Sequence, residues 1–315
     1  MNSDSLKKSK AYWPSNDKII EEHLNTFRNS KSSQSNRKSC LNYFFDEKYF
    51  GYNGHVFDIG KQTMMKYSDY LKHLKTISLS TKKNKWTLFR SFLAFCEDFY
   101  EEEFGVFYKF PRKIQWSLIN KESESNAGVF LTLNEVKQIL RYLKKTHFKY
   151  YLMIRILAES GTRKGGLRNL DHDKVNLEMR YIDTIEKTGR VIYYISPQLR
   201  DYLKFYLEER KKIDTKEKAL FLSTQLKRYS DRPINVYLKK VVQKLGIKKA
   251  ITCQVFRRSL NYFRFEMGCS DTILRILLCQ HVDSVNFNNY ISKNLDYNKF
   301  LEYYDEWNPY INIDL

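Results

Sequence analysis

The sequence predicts a mainly α-helical protein with a small antiparallel β-sheet, divided into two domains. Three observations predict it. Glycine (11) and proline (5) are sparse, which favours helices over a turn-rich β fold. Apolar residues recur at three-to-four spacing along most of the chain, the period of a half-buried helix. One short region breaks that rhythm: "RYIDTIE" and "VIYYIS" flank "KTGR" and read as a β-hairpin with a tight turn. A length of 315 residues suggests two domains, and 42% hydrophobic content suffices for a sizeable core.

In chain order, residues 1–57 open with about forty polar and basic residues ending in "RNSKSSQSNRKS", expected to be a flexible arm. An aromatic patch, "LNYFFDEKYFGYNGHVF", follows and is expected to be a small packing element. Residues 58–120 form a helical domain. Met64, Tyr67, Tyr70 or Leu71, and Leu74 make one apolar stripe. Trp86, Phe89, Phe92, Leu93 and Cys96 make a second, with Ser80 or Thr81 as its cap. Lys82, Lys83, Lys85 and Arg90 lie on the other faces, as in a DNA clamp or in any amphipathic bundle with solvated lysines.

The polar stretch 121–128 is the expected linker. Beyond it, Thr132 and Glu135 have capping-box spacing. "FKYYLMIRILAES" is apolar on most sides, so it should be a buried helix, stopped by Gly161. After the hairpin, Ser196 and Pro197 start another helix, and further helices are expected near 233–245, 254–267 and 270–280. The tail, 293–315, is acidic and aromatic, and Phe300, Leu301, Tyr304 and Trp307 fall on one side of a helix.

The formal net charge of +19 points to a polyanionic partner, most often nucleic acid, although a generic lysine-rich surface has the same balance. The five cysteines are odd in number and contain no C-x-x-C pair. That argues against a disulfide framework and a cysteine-based zinc site, and fits a reducing, cytoplasmic compartment. The first fifteen residues lack an apolar signal-peptide core. The run "YYLMIRILA" is too short for a membrane span and contains Arg155. No metal or cofactor motif is visible.

Four clusters carry chemistry: "SGTRKGGLRNLDHDKV" with Arg163, the hairpin turn with Lys187, "TCQVFRRSLNYFRFEMG" with Arg257, and "LLCQHVDSVNFNNY" with His281 and Tyr290. Together they resemble the catalytic domain of the tyrosine recombinases, the family of phage and mobile-element integrases and Xer-type resolvases. The family's first box, close to G-x-R-x-x-E-x-x-x-L, stands here as Gly161-Thr-Arg163 with Leu170 in register. Its hairpin lysine falls on Lys187, and its H-x-x-R box on Gln254-Val-Phe-Arg257. Its L-L-G-H falls on Leu278-Cys279-Gln280-His281, and its nucleophile, nine residues on, falls on Tyr290. The resemblance spans 129–292. The helical segment before it is similar to the family's core-binding domain in order and character only. It implies a two-domain tyrosine recombinase architecture, a helical core-binding domain followed by a mixed α/β catalytic domain.

The resemblance implies a site of Arg163, Lys187, Gln254, Arg257, His281 and Tyr290. Tyr290 would attack the phosphodiester and form a covalent phosphotyrosine, which conserves bond energy without ATP. Arg163 and Arg257 would grip non-bridging oxygens through planar bidentate donors. Lys187 would protonate the leaving 5′ oxygen, and His281 would hydrogen-bond the phosphate. The implied partner is double-stranded DNA, bound by a homo-tetramer on two sites, with no cofactor, metal, membrane or small-molecule substrate. The tail helix would dock on a neighbouring protomer or pack on its own domain. Two departures bear on activity. Gln254 stands in the usual His position and cannot shuttle a proton. Gly166 stands where the first box has Glu, a residue that orients its neighbours. Arg258 is a second candidate for the arginine of the second box. The competing readings are a catalytically weakened DNA-binding relative, a type IB topoisomerase-like enzyme and a basic helical RNA-binding protein.

Overall fold

Apolar stripes and serine caps build the first of two units into which the chain separates, 1–125 and 126–315. The computed structural model describes residues 8–111, 128–280 and 296–313. In the first unit, helices α1 (Asn16–Asn25), α2 (Lys31–Phe45), α3 (Lys61–His73) and α4 (Leu79–Phe104) close around one core. Phe44 lies at its centre, with the rings of Phe45, Phe50, Tyr52, Tyr67 and Phe89 all 4.4–5.4 Å away.

The expected flexible arm is largely helix. Ile19, Leu41 and Phe44 bury fully against α4, and burial of this kind offsets ordering entropy that a serine-rich composition alone does not. Serines that suggest disorder are helix caps here. Ser15 accepts from Lys18 N at 3.3 Å, and Ser30 from Ser33 N at 3.3 Å. Arg37 lies 3.7 Å over the Phe27 ring and donates to Ser91 Oγ at 3.1 Å. The cap of α4 is Ser78, not Ser80 or Thr81. Two lysines expected to be solvated are drawn inside. Lys82 donates to the Lys72 carbonyl at 2.7 Å, and Lys85 lies 3.3 Å over the Tyr43 ring.

In the second unit, Thr132 and Glu135 form the capping box that starts α5 (Leu133–Thr146). Helix α6 (Phe148–Ser160) is buried along residues 151–160 and ends at Gly161, whose φ is +67°. A short α7 (Lys164–Asn169) leads to a three-stranded antiparallel sheet, ordered β1 (Val175–Asn176), β2 (Tyr181–Glu186), β3 (Gly189–Tyr194). Strands β2 and β3 form the expected hairpin, paired from Tyr181 opposite Tyr194 to Glu186 opposite Gly189. Strand β1 has two residues, too few for an alternation signal. Ile182, Thr184, Glu186, Val191 and Tyr193 make the buried face of the hairpin. Helices α8 (Pro197–Lys211), α9 (Asp231–Lys244), α10 (Cys253–Glu266) and α11 (Asp271–Leu277) follow. Helix α11 stops short of residue 280 because Cys279 takes a left-handed φ of +49° and Gln280 N bonds back to Arg275 O at 2.8 Å.

The tail helix α12 (Tyr297–Glu306) packs on its own unit in the single chain. Its seat is polar. Arg155 and Glu159, one turn apart on α6, are fully buried and paired. Arg155 also donates to the Tyr310 carbonyl at 3.1 Å, and Glu159 accepts from the Tyr304 hydroxyl at 3.1 Å. Arg180 forms a bidentate pair with Asp305.

Two outcomes follow from this packing. A Cβ at Gly161 would lie 2.6 Å from Leu278 Cδ2 and 3.1 Å from Leu260 Cδ2, whereas at Gly246, with a similar φ of +69°, it would meet nothing within 4 Å. Gly246→Ala should therefore cost about 1 kcal/mol from the backbone alone. Gly161→Ala should cost roughly 2–4 kcal/mol, because overpacking adds to strain. Equal losses in urea denaturation would contradict this packing. Second, His23 is 2% exposed amid Phe27, Phe92 and Phe95. Burial, reinforced by Arg37, pulls its pKa from 6.5 down to about 4. The unfolded chain thus takes up this proton first, so stability falls as pH drops from about 6.5 to about 4. Thermal unfolding of His23→Phe should lack that part of the pH slope, and an unchanged slope would contradict it.

Candidate active site

Arg163 is placed by the way α6 ends. Gly161 turns the chain in the left-handed region that glycine tolerates without a Cβ penalty. Thr162 is then buried, and Arg163 becomes the residue that caps α7. From the strand side, Glu186 meets this turn at the last position of β2. Its carboxylate accepts from the Arg163 backbone N–H at 2.8 Å and the Thr162 hydroxyl at 3.1 Å. It also pairs closely with the Arg163 guanidinium and accepts from the Tyr193 hydroxyl at 2.9 Å. Burial works to raise the pKa of this carboxyl. The Arg163 N–H and guanidinium, with Tyr193, outweigh it and hold the group below the usual carboxylate range. The pair is asymmetric in exposure, with 34% of the Arg163 side chain open to solvent against 1% of Glu186.

Arg257, on the second turn of α10, reaches the same cluster from the opposite side. Its Nη1 donates to the Gly161 carbonyl at 2.6 Å and the Tyr193 hydroxyl at 3.1 Å, and its Nη2 donates to the Leu278 carbonyl at 2.6 Å. The residue is 3% exposed. Two of its five N–H donors therefore hold the ends of α6 and α11 together, and a third ties them to β3 through Tyr193. These contacts belong to Arg257, the residue on which the arginine of the second box falls. The chain Arg163–Glu186–Tyr193–Arg257 joins the two arginines through one carboxylate and one phenol.

Lys187 is exposed in the hairpin turn, one residue past Glu186. Gln254 is exposed on the first turn of α10, three residues before Arg257 and so on the same side of the helix. Gln280 joins Arg163, Thr188, Arg190, Ile192 and Cys279 around an open depression of about 640 Å³. Cys279 donates to the Ile192 carbonyl at 3.2 Å, and burial pushes its thiol pKa up to about 11. His281 and Tyr290 lie outside the described residues. The structure thus brings Arg163 and Arg257 into one network, with Lys187 following the carboxylate that Arg163 binds. The depression carries the guanidinium-bearing residues Arg163 and Arg190, and a planar fork of that kind matches the oxygens of a phosphate. Reading the sequence missed Glu186 and Tyr193. A signal was available: Glu186 directly precedes the hairpin lysine, and the first box lacks its own carboxylate at Gly166.

Comparisons with known proteins agree with this architecture. The profile described as the phage integrase family matches residues 129–295. The Tn1549 transposon integrase in complex with transposon right end DNA aligns with a TM-score of 0.67 at 14% identity, covering 88% of this chain and 98% of that one. The XerH site-specific recombinase bound to a palindromic difH substrate aligns with a TM-score of 0.65 at 16% identity, covering 87% and 83%. A lambda integrase tetramer bound to a Holliday junction aligns with a TM-score of 0.60 at 14% identity, covering 88% and 80%. At such identities the likeness shows a shared fold. No curated protein matches the sequence. The family match spans more than half of the chain, and the chain belongs to the phage integrase family.

Proposed function

We propose that this protein is a site-specific DNA recombinase that cuts and rejoins DNA through a 3′-phosphotyrosine intermediate and serves the integration or excision of a mobile element. The observation that carries the reading is the pairing of Arg163 and Arg257 through Glu186 and Tyr193 beside an open depression. Two guanidinium groups held in place before substrate arrives can stabilise the charge that builds on a phosphodiester as it is attacked. Lys187 then protonates the departing 5′ oxygen, Gln254 donates a hydrogen bond to phosphate, and His281 does the same. Tyr290 is the nucleophile. The net charge of +19 supports DNA as the substrate. The solved relatives include DNA complexes and a tetramer on a Holliday junction, which supports assembly as a tetramer on two sites.

Covalent trapping tests this. Wild type and Tyr290→Phe are incubated with nicked, end-labelled DNA spanning both flanks of the native locus, then denatured and resolved on a gel. A protease-sensitive adduct is expected for wild type alone. Arg163→Ala should bind the same DNA but cleave about 10²–10³-fold more slowly, the cost typical of losing one preorganised donor. An adduct that persists in Tyr290→Phe would overturn the choice of nucleophile. Binding by wild type without any adduct would favour the weakened DNA-binding relative over an active recombinase.

A further inference from the structure

Gly166 and Glu186 compete for one space. A Cβ built on Gly166 would lie 2.6 Å from Thr162 Oγ1, 2.9 Å from Glu186 Oε1 and 3.1 Å from Glu186 Cγ. Helix α7 is pressed onto β2 at this point, and Thr184 Oγ1 donates to the Gly166 carbonyl at 2.7 Å. The side chain that the first box ordinarily carries three residues after its arginine cannot be seated here while Glu186 is present. The space is instead filled by a carboxylate from the neighbouring strand, and that carboxylate already binds Thr162, Arg163 and Tyr193.

We propose that Glu186 is the positioning carboxylate of this active site, moved from α7 to the end of β2, and that Gly166 is the permissive change that makes room for it. The inference rests on the recombinase reading above. Glu186 acts through others. It fixes the Arg163 guanidinium directly, holds the Tyr193 hydroxyl that accepts from Arg257, and anchors the hairpin immediately before Lys187. Gly166 is therefore a relocation of a carboxylate between two elements, and the site remains complete without a first-box Glu.

A swap of the two positions tests this in the full-length protein, with DNA affinity and single-turnover cleavage measured separately. Glu186→Gln retains the shape but loses the charge. It should slow cleavage by about 10–100-fold, the range for displaced supporting groups, while affinity for the same DNA stays close to wild type. Gly166→Glu alone should impair cleavage, because two carboxylates meet in one space. Gly166→Glu combined with Glu186→Ala should cleave faster than Glu186→Ala alone, since the carboxylate returns from the helix side. Urea unfolding of the same set should be non-additive, with Gly166→Glu costing less in the Glu186→Ala background. If Glu186→Gln cleaves like wild type, or if the swap gives neither rescue nor non-additivity, the proposal is overturned while the recombinase reading stands. If wild type itself forms no adduct, the recombinase reading falls and the positioning role falls with it.

Discussion

A carboxylate taken out of water is tolerated only when donors replace the water it loses, and Glu186 has four: Thr162 Oγ1, the Arg163 backbone and guanidinium, and the Tyr193 hydroxyl. The donors come from two parts of the local fold. Thr162 and Arg163 belong to the turn after α6, which exists because Gly161 accepts a left-handed φ. Tyr193 belongs to the partner strand of the hairpin, and through it the network reaches Arg257 on α10. Arg257 in turn clamps the carbonyls of Gly161 and Leu278. Loss of the one carboxylate would therefore leave two arginines without their common reference point. The Arg163 guanidinium, 34% exposed, would keep access to water, so the loss falls mainly on its positioning and on the buried Thr162 and Tyr193 hydroxyls that bind the same carboxylate.

Helix α6 carries a second buried charge system on its own length. Arg155 and Glu159 are fully enclosed and bind Gln198, the Ser196 backbone, Tyr304 and the Tyr310 carbonyl. This pair secures the tail where the Glu186 cluster secures the turn after α6. An apolar helix with two polar attachment sites explains why "FKYYLMIRILAES" reads as a buried element yet contains two full charges. Polar seats of this kind are directional, so they fix which way the tail lies against the unit more sharply than apolar packing would.

Much of this was legible in the sequence, for identifiable reasons. Long periodic elements such as α5, with its Thr132 and Glu135 capping box, and the hairpin around Lys187-Thr188 carry their signal within a few residues. Arg163, Lys187 and Arg257 were found from their order along the chain, and the structure brings both arginines to one cluster beside the lysine's turn. What was not legible depends on contacts distant in sequence. Helices α1 and α2 are serine-rich and resemble a disordered arm until Ile19, Leu41 and Phe44 are seen against α4. Lys82 and Lys85 look solvated until the Lys72 carbonyl and the Tyr43 ring are seen beside them. Glu186 is marked in the sequence only by its place before the hairpin lysine and by the missing carboxylate at Gly166, and it takes the space beside Gly166 to connect the two.

The central claim is that one relocated carboxylate aligns two arginines on a single DNA phosphate. Its most direct test is a crystal structure of the protein with an uncleaved DNA site. The account predicts the guanidinium groups of Arg163 and Arg257 against the same phosphate, the Tyr290 hydroxyl facing it, and Glu186 still accepting from the Arg163 backbone and the Tyr193 hydroxyl. Arginines on separate phosphates, or Glu186 turned out of the space beside Gly166, would contradict it.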